Sequence, residues 1–392
     1  MNRKRISIVL LGFSFCICLQ AQRIDDILNG IEQNNKELQA VRHRMEADRL
    51  EVSTNNNLED PSVEYSPFFT SGVDGMASSE LVVSQGFDFP TLYAARSKEG
   101  RLQQEALDYR ELSSRRDILL RAKNLCLDLI YLNQQDKLLK HRLENADELL
   151  ALFEKRLKEG DVNILDVNKI KMERMSVNTE VAQNNSAHRA ALQQLLAMNG
   201  NKPVEFTSDV YPDIAPLTDM NALYDEVVAS DAELLAADAD MRASAQTLNV
   251  AKQNWLPKLE IGYRRNTSVG EKSNGFLIGG SLPLFSNRKK KQIAKAQAVS
   301  AELQLEEVRL QTEAQTHSLF NEIKQLSESL ESYDVPLMKE TLDLLKEAVM
   351  AGQISIIEYY TEADIIYRNL QTYMGLENRY QKLVAEAYRH RL

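Results

Sequence analysis

Cysteine is nearly missing from this sequence. There are three in 392 residues, and two of them, Cys16 and Cys18, lie in the first 21. If that segment is removed, only Cys126 remains and no internal disulfide can staple the fold. Glycine (15) and proline (9) are scarce for the length, and aromatics are only 7%. Sandwiches and α/β enzymes use more turn residues than this, whereas long helices do not. The histidines, His43, His141, His188, His317 and His390, are scattered. No His-Glu-x-x-His and no His/Cys pair at ligand spacing occurs. Gly-x-Ser-x-Gly, the phosphate-binding loop and Gly-x-Gly-x-x-Gly are absent too. No enzyme, cofactor or resident metal is therefore expected. Cations are the minority charge, 47 against 57 acids, so nucleic acid is a poor partner.

What is present begins with an export signal. Met1–Arg5 is basic, Ile6–Leu19 is a short apolar run, and Leu-Gln-Ala ends it. This reads as a secretory signal peptide over residues 1–21. Its removal takes three positive charges and moves the net charge from −10 to −13. Neither Cys16 nor Cys18 follows the small residues of a lipoprotein signal. Mean hydropathy is −0.38, that of a soluble chain, and the length suggests two or three domains.

Periodicity sets the architecture. Residues 24–56 predict a helix, with Ile24, Ile27, Leu28 and Ile31 on one face. Two strands follow, at 60–69 and 80–90, the second placing Leu81, Val83, Gln85 and Phe87 on one side. Thr91–Glu159 contains one glycine and no proline, and Leu139, Leu143, Ala146, Leu150, Phe153 and Leu157 step like coiled-coil seam positions. A helix of roughly 65 residues would be about 100 Å long. Gly160 breaks it, and a second helix runs to about Met198. Residues 199–218 hold three prolines and predict an irregular linker.

Then the order starts again. A helix is expected over 219–255, a strand over 255–263, a loop from Arg264, a strand over 275–285 and a long helix over 287–350. Leu319, Ile323, Leu326, Leu330, Tyr333 and Leu337 repeat the seam spacing. Gly352 breaks this helix, and a last one runs from about Ile356 to Tyr388. Gly160 and Gly352 are 192 residues apart, and Pro61 and Pro257 are 196 apart. The chain therefore reads as a tandem repeat: 22–198, the linker 199–218, and 219–392. Each glycine is the tip of a helical hairpin.

The four strands have membrane-crossing length, with aromatics at their ends: Tyr65, Phe68, Phe69, Phe87, Phe89, Tyr263, Phe276 and Phe285. A small soluble sheet with one wet face would show the same alternation. Four strands cannot close a barrel, so a membrane location requires several chains to share one.

Ser84–Glu99, Gly280–Gln297, Ser230–Tyr263, Leu157–Val167 and Val349–Tyr360, in that order and with matched spacing, resemble the TolC family of outer-membrane efflux channels. The resemblance covers essentially the whole mature chain. It implies a mainly α fold with a β membrane part: helical hairpins forming a periplasmic α-barrel, and four strands per chain in a homotrimeric twelve-stranded β-barrel. It also implies location in the outer membrane of a Gram-negative-type cell. The implied partners are outer-membrane lipid, a periplasmic adaptor and an inner-membrane pump of the RND (resistance–nodulation–division) or a similar type. Short members often serve heavy-metal pumps.

By the same resemblance, Asp166 and Glu358, each six residues past a tip glycine, are expected at the periplasmic gate, where threefold symmetry would make acidic rings. Leu157, Gly160, Asp161, Val349, Gly352 and Gln353 are expected to dock the adaptor. Where some members carry an aromatic and a base around the second glycine, this chain has Val349 and Ile354, with Thr361 at the second acidic place. Hairpin packing, more than ion pairs, is then expected to close the tunnel. Arg288, Lys289, Lys290 and Lys291 open a helix directly after a strand, against the helix dipole, and suit a phosphate-rich membrane surface. Cys126 is expected as a packed small hydrophobe. The competing readings are a periplasmic adaptor, which would carry one hairpin, and a periplasmic structural coiled coil.

Overall fold

A computed structural model describes residues 23–72, 74–213, 220–268, 270–285 and 287–392. The expected signal peptide lies outside them, as does part of the linker. The elements are α1 (Ile24–Asn34), α2 (Lys36–Thr54), β1 (Ser62–Phe68), β2 (Ser78–Phe87), α3 (Pro90–Glu159) and α4 (Ile164–Met198). The second half gives α5 (Met220–Ala229), α6 (Ala232–Gln253), β3 (Lys258–Ser268), β4 (Glu271–Ser281), α7 (Lys290–Glu331), α8 (Val335–Met350) and α9 (Ile356–Ala387). The duplicated order stands, and α3 alone runs 70 residues.

Four expectations need correction. The helix over 24–56 is two helices, broken where Asn35 takes an extended ψ of 123° and its side chain accepts from the Leu38 N–H. The helix over 219–255 breaks in the same way, with Asp231 capping Leu234. Asn35 and Asp231 are 196 residues apart, so the break belongs to the duplication. The stretch from Arg264 is not a loop: β3 and β4 pair along it to a tight turn between Ser268 and Glu271. The helix over 287–350 begins at Lys290 and is interrupted at Ser332–Asp334, where Asp334 caps a new helix with Pro336 in its first turn. Proline fits a first turn because the missing N–H would be unpaired there anyway. Leu337 consequently leaves the seam and is exposed.

The four strands form one antiparallel sheet in the order β1–β2–β3–β4. Helices pack in a series from α2 through α3 and α6 to α7, and in a second series from α4 through α3 and α9 to α8. Two core clusters fill the helical part. One joins α1 and α3 to the end of α4 and contains Cys126, whose thiol burial pushes up to about 12. The other joins the two hairpins near their tips through Leu149, Phe153, Ile170, Leu342, Val349 and Tyr359. The described linker docks on α3, its Ser208 and Asp209 carbonyls accepting from the Asn133 and Gln134 amides at 2.8 and 2.9 Å.

Candidate functional site

Side chains alternate across a strand, so register assigns each one to a face. Val63, Val83, Tyr263 and Phe276 form one cross-strand row, and Gln85, Ile261 and Ile278 the next toward the helices. Phe87 and Leu259 extend this apolar face. On the opposite face Ser62 and Ser84 hydroxyls meet at 2.8 Å, Ser84 donates to Glu260, and Arg264 pairs with Glu80 at 2.9 Å. Most of the apolar face is uncovered among the described residues. Phe276 is 92% exposed and Ile278 86%. A contiguous bare apolar patch of this kind marks a lipid or protein contact. The outer ladders of β1 and β4 are unpaired within the described residues, and such edges are templates for further strands.

The helical layer repeats the pattern. One end of its packing series presents exposed Leu50 on α2 and Leu165, Met172 and Met175 on α4. The other end presents Ile293, Leu303 and Leu310 on α7 and Leu337 and Leu344 on α8. The two flanks are different surfaces, as in a head-to-tail ring rather than a two-fold pair.

At the hairpin tips Gly160 has φ +85° and Gly352 φ +75°. Asp161 N–H reaches the Arg156 carbonyl at 2.9 Å, and Gln353 N–H the Ala348 carbonyl at 2.9 Å, so both helices close with the same left-handed glycine motif. Arg156 bonds the Met350 carbonyl at 2.6 Å and ties one tip to the other. Gly160, Asp161, Gly352 and Gln353 are exposed, whereas Leu157 is half-buried and Val349 is 0% exposed in the inter-hairpin core. Val349 thus packs inside the tip.

Asp166 and Glu358 occupy equivalent places. Asn163 accepts from the Asp166 N–H at 3.1 Å, and the Asp166 carboxylate accepts from the Asn163 N–H at 3.2 Å. Ser355 and Glu358 exchange the same two bonds at 3.2 and 2.8 Å. Both acids therefore close capping boxes at the start of α4 and α9. The Ser355 backbone and then its hydroxyl hold the Glu358 carboxyl below the ordinary carboxylate range. Its capping contribution is present above the ordinary carboxyl pKa and lost as pH falls through the depressed one. Asn-x-x-Asp and Ser-x-x-Glu after a tip glycine were readable in the sequence as this motif.

Other residues had no sequence signal. Arg142 on α3, 11% exposed, donates to Glu173 of α4 at 2.8 Å, to Glu180 of α4 at 3.4 Å and to Asp364 of α9 at 3.2 Å. Its guanidinium lies 4.9 Å from the centre of the Tyr367 ring. Lys346 of α8 adds bonds to Asn145 at 2.8 Å and Glu148 at 2.6 Å on α3. The two hairpins are thus joined by the part-buried ion pairs Arg142–Asp364 and Lys346–Glu148 as well as by apolar packing.

Arg288, Lys289, Lys290 and Lys291 are exposed, and Lys289 holds a φ of +67°. Leu282, Leu284 and Phe285, just before them, are exposed as well, as is Trp255 at the base of β3. Apolar anchors beside cations form the usual edge of a lipid contact. Among the described residues, no group of three or more His, Cys, Asp and Glu is arranged to hold a metal. No described helix is long and apolar enough to cross a membrane.

Residues 223–386 match the family model of outer membrane efflux proteins. The chain is 22% identical over 264 residues to the probable outer membrane lipoprotein SilC of Salmonella typhimurium, covering 62% of this chain and 56% of that relative. It therefore spans a little over half that relative's length. The outer-membrane channel OprN superposes with a TM-score of 0.78 at 16% identity, covering 94% of this chain and 89% of OprN. The CmeC outer membrane channel of Campylobacter jejuni gives 0.73 at 13% identity, over 94% and 85%. Residues 223–386 are thus similar to outer membrane efflux proteins, and the described chain has the fold of the OprN and CmeC channels.

Proposed function

We propose that three copies of this chain close into one channel and serve as the outer-membrane exit duct of a tripartite efflux system. The observation that carries this reading is the sheet. It has one bare apolar face, one hydrogen-bonded polar face and two unpaired edges. Open edges are not tolerated in lipid, and four strands fall short of the about eight that a closed barrel needs. Three copies would give twelve strands, apolar outward and polar inward, with the unlike helical flanks meeting around a periplasmic tunnel. Crosslinking in detergent should stop at trimer in outer-membrane fractions. A stable monomer with its strand edges covered would refute the shared barrel.

The tips would face a periplasmic adaptor coupled to an inner-membrane pump, since they lie at the end of the helices away from the sheet. Gly160→Val and Gly352→Val each force a branched residue into left-handed backbone, at a cost of about 1–2 kcal/mol. No heavy atom lies within 4 Å of the added Cβ at either position, so the trimer should survive. Efflux, assayed as substrate accumulation in cells, should be lost. Unchanged accumulation in both variants would remove the docking role. An adaptor reading of this chain is disfavoured by the second hairpin and by the channel fold.

Asp166 and Glu358 would form acidic rings at the narrow end. Asp166→Asn with Glu358→Gln removes the charge, and Gln at the third helical position can still close a capping box. Cation selectivity in planar bilayers should fall, while helix content should stay as in wild type. Unaltered selectivity would leave the two acids with capping as their only role. The basic cluster Arg288–Lys291, with Leu284 and Phe285 beside it, would rest on the periplasmic lipid surface.

A further inference from the structure

Charge on the sheet is sorted by face. All four strand acids, Glu64, Glu80, Glu260 and Glu271, lie on the polar face, and the apolar face has none. The apolar face carries two cations instead, Arg265 and Lys272, both at the turn end away from the helices. They come directly after the Tyr263–Phe276 row that ends the apolar part of this hairpin. Arg265 is flanked by Leu81 on β2 and Asn274 on β4, and Lys272 faces Thr267. The two cations are therefore diagonal neighbours on one face, about 7–8 Å apart.

Both are exposed, and neither side chain makes an ion pair or a hydrogen bond among the described residues. Arg264, the next residue but on the other face, is paired with Glu80. In a chain with ten more acids than bases, two adjacent unneutralised cations do not follow from composition. Like charges this close disfavour each other unless an anion sits between them.

We propose that Arg265 and Lys272 bind the phosphate groups of anionic lipid at the outer rim of the apolar belt. This rests on the reading of that belt as lipid-facing. The guanidinium can grip a phosphate with two parallel bonds, and the ammonium adds a second charge from the neighbouring strand. Both stems are long enough to lie along apolar surface while the heads reach the headgroup layer. Asn274 and Thr267 supply further polar groups between them. Three copies would place three such sites around the barrel.

The test uses the full-length trimer in detergent, titrated with bis-phosphorylated lipid A and with its dephosphorylated form, and read by native mass spectrometry. Wild type should prefer the phosphorylated lipid, and Arg265→Gln with Lys272→Gln should weaken that binding about 10-fold or more. Arg265→Lys should keep most of it. Equal affinities in wild type and the double variant, with both entering phosphatidylcholine vesicles as trimers, would overturn the site and leave the barrel intact. A wild-type protein that never enters vesicles would overturn the barrel reading and the site with it. Full displacement of the lipid by millimolar inorganic phosphate would assign the cations to a soluble anion and overturn the lipid.

Discussion

An Ile278→Arg chain is expected to be exported but not to assemble in the outer membrane. Ile278 lies mid-strand on β4, directly opposite Ile261, on the apolar face, and both are exposed. Arginine at the midplane of a membrane strand costs about 2–4 kcal/mol, so three copies around one barrel lose about 6–12 kcal/mol. That is comparable to the whole stability of an ordinary domain, about 5–15 kcal/mol. The neighbouring position provides the control. Leu277 points to the polar face, and Leu277→Arg should insert and trimerise, because a single step along a strand exchanges lipid for lumen. Membrane fractionation and a heat-labile trimer band report both variants. A wild-type amount of Ile278→Arg trimer in the outer membrane would mean that this face does not meet lipid.

Arg142→Met should destabilise the helical part by about 3–5 kcal/mol, the usual cost of leaving a buried charge without its partner. The half-buried partners Glu180 and Asp364 lose less, since water reaches them there. Glu173 is only 9% exposed and carries most of the loss. Burial already raises its carboxyl above the ordinary value, and Arg142 is the first influence opposing that rise. The sign of the pH dependence follows. A carboxyl raised in the folded state favours folding most below its ordinary pKa, and that contribution is lost as pH rises through the folded value. Without Arg142 the rise is larger, so the variant's deficit should shrink on acidification from about pH 7 toward pH 5. Adding Glu173→Gln should recover much of the stability at neutral pH. Thermal melts of helical circular dichroism measure both effects. A deficit below about 1 kcal/mol, or one that is indifferent to pH, would show that Glu173 is not left as a buried charge.

The duplication, the two glycine tips and the strand pairs were legible in the amino-acid order because each rests on local physics. Glycine reverses a helix because left-handed backbone costs it nothing, and alternation marks a strand at any position in a chain. The capping boxes at Asn163–Asp166 and Ser355–Glu358 are equally local, and so are the breaks at Asn35 and Asp231, but the apolar periodicity ran through both breaks and hid them. The interruption before Pro336 had its signal in the proline, but the seam spacing through Leu337 overrode it. Two facts about the hairpins came only from packing: Val349 is enclosed in the hairpin core, and Arg142 reaches acids 31, 38 and 222 residues away. No periodicity can announce a contact between residues so far apart, because the folded chain alone brings them within bonding distance. The sorting of charge between the faces divides in the same way. Sequence alternation assigned each strand residue to one of two faces. Which face stands bare and which is hydrogen-bonded was decided when β2 paired with β3, since that ladder joins the two repeats and brings Ser84 to Glu260 and Arg264 to Glu80.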